Sequence, residues 1–159
     1  MSDLEQLEDW VGGLIAALEP RARRKLALAV ARDLKQSQVR RIAAQQNPDG
    51  SGFEPRKKQA GRLRSQSGRI RRSGGMFQKL RKAAYLGHEA TAEEASVGFN
   101  NATVARVARV HQDGLVDRVS RAKNAPSIRY PSRRLLGFTD DDRQRLLATV
   151  LMHLEANQS

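Results

Sequence analysis

Apolar residues near the start of the chain recur at three- and four-residue steps. Leu4, Leu7, Val11, Leu14, Ile15 and Leu18 form one stripe, the spacing of an amphipathic helix. Ser2-Asp3-Leu4-Glu5 has capping-box spacing, so the helix is expected to begin there. It should end near Glu19-Pro20, with Gly12-Gly13 weakening its middle. Pro20 suits the first position of a second helix, where its missing amide costs nothing. Leu26, Val30, Leu34 and Ile42, with Ala27 and Ala31 beside them, carry that helix to about Gln45. Two helices joined at a proline predict an antiparallel hairpin. Asn47-Pro48-Asp49-Gly50-Ser51-Gly52 then stops helix formation by turn chemistry, and Phe53 is the one apolar anchor of that turn.

Between Pro55 and Gly75 the periodicity disappears. Only Leu63 and Ile70 interrupt Arg, Lys, Gln, Ser and Gly, so residues 55–75 are expected to form a mobile loop or arm. Met76-Phe77-Gln78-Lys79-Leu80 restores apolar character. Tyr85 to Thr91 and Ala95 to Asn100 partly alternate around Ala92-Glu93-Glu94, the pattern of a hairpin. Asn101 can cap a helix in which Val104, Val107, Ala108 and His111 share a face and Gly114 supplies the left-handed end. The alternative there is a strand through Val104 to Val110, since Thr103 and the valines lower helix propensity. A basic, polar loop follows, then a short strand at Ser127 to Tyr130 that Pro131 ends or pushes to an edge. Thr139 caps a last helix whose first turn holds Asp140, Asp141 and Asp142, and whose Leu146, Leu147, Val150, Leu151 and Leu154 should face inward. The expected fold class is α+β: an N-terminal helical pair, a small antiparallel sheet, a C-terminal helix, and a long basic loop in the middle.

Length and charge sharpen this picture. A chain of 159 residues fits a single domain over residues 1–159. Hydrophobic residues make up 39% and aromatic ones 4%, so aliphatic side chains must build the core. The net charge of +12 is local. Residues 1–54 carry 8 Lys/Arg against 8 Asp/Glu, and residues 83–159 carry 10 against 9. Residues 55–82 carry 11 against none, which marks an arm rather than a uniformly basic surface. Its cations are Arg56, Lys57, Lys58, Arg62, Arg64, Arg69, Arg71, Arg72, Lys79, Arg81 and Lys82, and these are the candidate residues for binding a partner or nucleic acid. No aromatic residue lies between Arg56 and Gly75, so base stacking is not available there and any nucleic-acid contact would be non-specific and salt-sensitive. An acidic protein surface is the other partner the arm fits, and a merely solvated loop is the plain alternative.

The chain nominates no chemistry. Without cysteine there is no disulfide framework, thiolate zinc site or cysteine nucleophile, and the composition fits a reducing cytoplasm. His88, His111 and His153 lie in separate elements with no ligand-spaced companion. Consecutive helical aspartates diverge by about 100 degrees and cannot all face one ion. The Gly-rich stretches lack a phosphate-loop ending, and no serine elbow is present. No enzyme, metal or cofactor is therefore expected. The acidic, polar N-terminus and the lack of an apolar run of about 18 residues argue against secretion or membrane insertion.

Six local patterns occur in one order along nearly the whole chain: Arg32-Asp33-Leu34-Lys35-Gln36-Ser37-Gln38, Gln46-Asn47-Pro48-Asp49-Gly50, Met76-Phe77-Gln78-Lys79-Leu80-Arg81, Ala95-Ser96-Val97-Gly98-Phe99, Ala108-Arg109-Val110-His111-Gln112-Asp113-Gly114, and Tyr130-Pro131-Ser132-Arg133-Arg134-Leu135-Leu136-Gly137-Phe138-Thr139. In these the chain resembles the phage virion morphogenesis family, specifically its tail completion protein S group from contractile-tailed phages. The resemblance implies a non-enzymatic structural role in tail completion or head–tail joining. It implies ring-like association with copies of itself, docking to other tail-end or neck proteins, and DNA in the channel as a further contact of the basic arm. It also implies assembly in the host cytoplasm and residence in the virion. It carries over no catalytic residues. It marks Met76, Phe77, Leu80, His111, Gly114, Leu135, Leu136 and Phe138 as packing or interface positions. A non-specific nucleic-acid-binding protein that uses the basic arm is the alternative from a different class.

Overall fold

The computed structural model describes residues 2–56 and 75–158. Four helices and four short strands follow in the order α1 (Asp3–Ala16), α2 (Pro20–Ala43), β1 (Leu86–Ala90), β2 (Ala95–Phe99), α3 (Ala102–Asp113), β3 (Val116–Arg118), β4 (Ser127–Arg129) and α4 (Asp140–Ala156). The fold is α+β, with two two-stranded sheets, β1-β2 and β3-β4. The expected mobile arm, apart from its roots, lies outside the described residues.

Local chemistry sets most element ends. At α1 the Ser2 hydroxyl accepts from the Glu5 amide at 3.3 Å, and the Glu5 carboxylate accepts from the Ser2 amide at 2.7 Å, a complete capping box. The Asn101 side chain accepts from the amides of Thr103 and Val104 at 2.9 and 3.2 Å. Gly114 closes the same helix at φ 64. With both ends satisfied, residues 102–113 form a helix and the strand alternative fails, because capping outweighs the low propensity of three valines. The β1-β2 turn is held by Thr91, whose hydroxyl accepts from the amides of Glu93 and Glu94.

Three expectations need correction. β3 lies in the stretch read as loop, and it pairs antiparallel with β4 in the register Val116 with Arg129, Asp117 with Ile128 and Arg118 with Ser127. Leu7, on the apolar stripe of α1, and Leu151, expected to face inward on α4, are 38% and 37% exposed. Leu7 sits one turn nearer the exposed helix start, and Leu151 at the margin of the α4 stripe, about 60° from Leu154 at 100° per residue.

The chain forms two compact units. The first comprises Met1–Ser37, Leu86–Gly98 and Phe138–Ser159. Its buried apolar residues are Val11, Leu26, Ala31, Leu34, Leu86 and Leu154. Its most enclosed polar group is Asp142, with no exposed surface. The Asp142 carboxylate accepts from the Ser37 hydroxyl, from the Thr139 amide at 2.9 Å and from Arg145 at 2.7 Å. Arg145 also reaches Asp33 at 3.2 Å, and it pairs with Asp141. Asp140 and Asp141 thus serve the helix dipole as expected, whereas Asp142 also ties the start of α4 to α2. The second unit comprises Gln38–Tyr85 and Phe99–Gly137. Its core is Ile42, Phe53, Ala108 and Leu135, with Met76, Phe77, Leu80 and Phe99 packed against it.

Burial pushes the Asp142 carboxyl up. The hydrogen bonds from Ser37 and Thr139 and the Arg145 guanidinium together outweigh burial and hold it below its ordinary value of 3.8. A depressed folded value stabilises the fold fully above the unfolded value and is lost as pH falls through the folded one. Asp142→Asn should therefore cost about 2 kcal/mol at neutral pH, the worth of charge-assisted hydrogen bonds. Denaturant titrations across pH should also show a shallower loss of stability below pH 3.8 in the variant than in the parent.

Candidate functional site

Residues 130–137 run through the second unit without belonging to a helix or sheet, so their backbone groups need other partners. The Tyr130 and Arg133 amides donate to the backbone carbonyls of Leu115 and His111 at 3.0 and 2.7 Å, and residues 134–137 are held by side chains, mostly from two helices. From α2, Arg41, itself buried, donates to the carbonyls of Arg134 and Leu135, both at 2.8 Å, and to that of Gln46 at 3.0 Å. Its guanidinium also donates to the Gln38 side-chain oxygen. Gln38 donates to the Gly137 carbonyl at 3.0 Å and accepts from the Gly137 amide at 3.2 Å. From α3, Gln112 does the same for Leu136, at 2.8 and 3.0 Å. The Asn47 side chain accepts from the Arg134 amide at 2.8 Å. Leu135, held between these clasps, has no exposed surface.

The two roots of the basic arm are fastened in the same unit. At one root Arg133 donates to the carbonyls of Glu54 at 2.7 Å and Pro55 at 3.2 Å. At the other, Gln45 accepts from the Met76 amide at 2.6 Å and donates to its carbonyl at 2.8 Å. Gln45 and Phe77 take φ of 58 and 64, a left-handed conformation that costs a non-glycine residue about 1 kcal/mol or more. Contacts hold Phe77 there. Its ring meets Phe53 edge-on at 5.8 Å and His111 at 4.8 Å, and His111 meets Tyr130 at 4.9 Å, geometries that aromatic quadrupoles favour.

His111 also faces Arg133, whose Nη1 lies 3.2 Å from its Nδ1. Burial first, then the charges of Arg133 and Arg56, push its pKa from 6.5 down to about 4. Burial likewise lowers Arg133, with Glu54 opposing. Among the described residues no group of three or more His, Asp or Glu is arranged to hold a metal. Among the described residues no helix is long and apolar enough to cross a membrane.

The structure brings Met76, Phe77, Leu80, His111 and Leu135 into the core or the aromatic ladder. Leu136 joins through its backbone. Gly114 is packed so closely that a Cβ would sit 3.2 Å from the Ser132 amide nitrogen. Phe138 departs from its family-motif companions. It belongs to the first unit and is 55% exposed. It precedes the Thr139 cap, where an apolar residue would staple onto the fourth helical position, but that position is Arg143. Of the basic candidates, Arg56, Lys79 and Lys82 are exposed, and Arg81 is half-buried and donates to Gln78 at 2.8 Å. Lys57, Lys58, Arg62, Arg64, Arg69, Arg71 and Arg72 lie outside the described residues.

Sequence reasoning missed the polar residues that organise this region, Gln38, Arg41, Gln112 and Arg133, and also Ser37, which bonds Asp142 in the first unit. The signal was present on α2. Positions 37, 38 and 41 follow Leu34 by three, four and seven, and so share its face.

The sequence model of the phage virion morphogenesis family matches residues 2–155. Tail completion protein S of Escherichia phage P2 is 40% identical over 155 residues, covering 98% of this chain and 99% of the relative. No solved structure matches the chain. The resemblance read from six ordered motifs is thereby borne out.

Two substitutions probe the region. Lysine cannot span several acceptors as guanidinium does, so Arg41→Lys should lower unfolding free energy by about 2 kcal/mol, measurable by urea titration. For His111, a folded value near 4 against 6.5 unfolded means that only the unfolded chain takes up the proton between them. Stability should therefore fall as pH drops from 6.5 to about 4, by on the order of 3 kcal/mol. In His111→Phe that slope should disappear.

Proposed function

The chain belongs to the phage virion morphogenesis family, and from that premise we propose that it is a structural protein of tail completion or head–tail joining, not an enzyme. It acts by binding other copies of itself in a ring and neighbouring tail-end proteins at the head-proximal end of the tail. Assembly takes place in the host cytoplasm, and the protein ends in the virion. The observation that carries this reading is the end-to-end match to a relative named for tail completion.

The arrangement of the second unit supports a docking role for the basic arm. Both roots are pinned to one framework by Arg133 and Gln45, so load on the arm is passed to packed backbone. The cations from Arg56 to Lys82 occur without a single acid, which suits an acidic rim on a neighbouring ring.

Size-resolved mass measurement of the full chain, alone and with tail-end proteins of the parent phage, should show species heavier than the monomer. Deleting the gene should leave tails unfinished. A monomer under both conditions together with normal tails would overturn the reading. Replacing the arm's Lys and Arg by Gln should weaken assembly while leaving the unfolding transition unchanged. A basic arm that instead serves nucleic acid predicts binding that falls steeply from about 50 to 200 mM salt. Negligible binding at the lower salt rejects that role.

A further inference from the structure

The near-balance of charge over residues 1–54 conceals a division. Residues 1–19 hold five Asp/Glu and no Lys or Arg, whereas α2 holds eight cations and a single acid. That acid, Asp33, bonds Arg145 at 3.2 Å and lies about 100° round the helix from Arg32.

The cations of the first-unit part of α2 are sorted by face. At about 100° per residue, Arg21, Lys25 and Arg32 fall within about 40° of one another, and Arg24 and Lys35 flank them about 60–80° from the centre of the row. Arg21, Arg24, Lys25 and Arg32 are exposed and Lys35 is half-buried. The other side of the helix buries Leu26, Ala31 and Leu34. The row of three runs about 17 Å along the axis at about 1.5 Å per residue. Among the described residues none of these five side chains makes a hydrogen bond or an ion pair, and Glu19, just before the helix, pairs with none of them.

Folding gives no reason for this arrangement. Arg21 stands in the first turn, at the positive end of the helix dipole, with no acid in that turn to offset it. Arg21 and Lys25 are like charges four residues apart, a destabilising pair. A protein partner would find no anchor here, because α2 has no aromatic residue and the row offers only half-buried Leu28 between its charges. A single strand would find nothing on which to stack its bases. The stiff, regular phosphate surface of a duplex asks only for cations in a straight row.

We propose that the exposed face of α2, through Arg21, Lys25 and Arg32 with Arg24 and Lys35 beside them, binds the phosphate backbone of duplex DNA without regard to sequence. The contact is carried by a helix and is separate from the arm. It goes beyond the tail-completion reading and does not depend on it.

The full chain should bind fluorescent DNA duplexes of unrelated sequence equally, with an affinity that falls steeply from about 50 to 200 mM salt. Arg21→Gln, Lys25→Gln and Arg32→Gln together should weaken binding at least about tenfold and lower the slope of log affinity against log salt by about 3. Glutamine keeps helix propensity, so the unfolding transition of this triple variant should not fall. Arg21→Lys with Arg32→Lys should keep the parent's slope, since a phosphate reads lysine as a point charge. Replacing the arm's cations by Gln should leave a salt-dependent residue of binding that the triple change then removes. A triple variant with the parent's affinity and slope would overturn the site. So would an arm variant with no binding left, tighter binding to single strands than to duplex, or no duplex binding by the parent at about 50 mM salt. A triple variant that keeps DNA binding but loses the heavier assemblies would make this face a protein contact instead. The tail-completion reading is judged separately, by mass and by the state of the tails.

Discussion

The second unit depends on side chains doing for residues 134–137 what a sheet would otherwise do. A segment with no ladder partner must satisfy each buried amide and carbonyl some other way, or lose free energy at each one. Gln38 and Gln112 each bind one residue of the segment at both its amide and its carbonyl, and Arg41 takes the two carbonyls at Arg134 and Leu135. With these contacts made, Leu135 can be fully enclosed against Ile42, Phe53 and Ala108. Without them, burying that leucine would drag unpaired backbone out of water. The polar clasp is therefore a precondition of the apolar core.

The clasp also explains how the unit tolerates a highly charged insertion. Arg133 is buried, and it bonds the carbonyls at one root of the arm while its ring neighbour His111 belongs to the aromatic ladder. Gln45 holds the other root, and Phe77, in a left-handed conformation, completes the ladder beside it. Both ends of the insertion are fixed by contacts to packed elements, so the sequence between them can answer to a partner rather than to the fold. The sequence between Pro55 and Met76 holds eight cations and no acid, so the excess charge of the chain gathers between the two fixed roots.

What was legible in the sequence was local. Ser2, Asn101, Gly114 and Thr139 announce element ends through interactions that span three or four residues, and the apolar spacing between them gives the helices. What was not legible depends on distant partners. β3 is three residues long, and its strand character comes from pairing with β4 across a basic loop. The α2 stripe changes from apolar to polar at Ser37, Gln38 and Arg41, and composition alone reads such residues as solvated. Only their distant partners, Asp142 for Ser37 and residues 134–137 for Gln38 and Arg41, make their burial sensible. Phe138 shows the converse: it lies in a run of motif residues, yet the Arg143 position gives it nothing apolar to staple onto. The basic arm was read from lost apolar periodicity and from charge, and most of it lies outside the described residues.

Exposed apolar side chains scattered singly over a surface are ordinary, so the informative question is where they gather. Val107, Phe138 and Met152 are spread over separate elements. Leu115, Val116, Val119 and Ile128 all belong to one hairpin and its flanks. That hairpin is the element with the least covering of its own and therefore the most to gain from being covered. Its charge is opposite to that of the α1 segment, which carries the exposed Trp10. A chain whose core relies on polar clasps has little apolar surface to leave exposed without cause. In the second unit it gathers on a basic ribbon, the face with the most to gain from being covered.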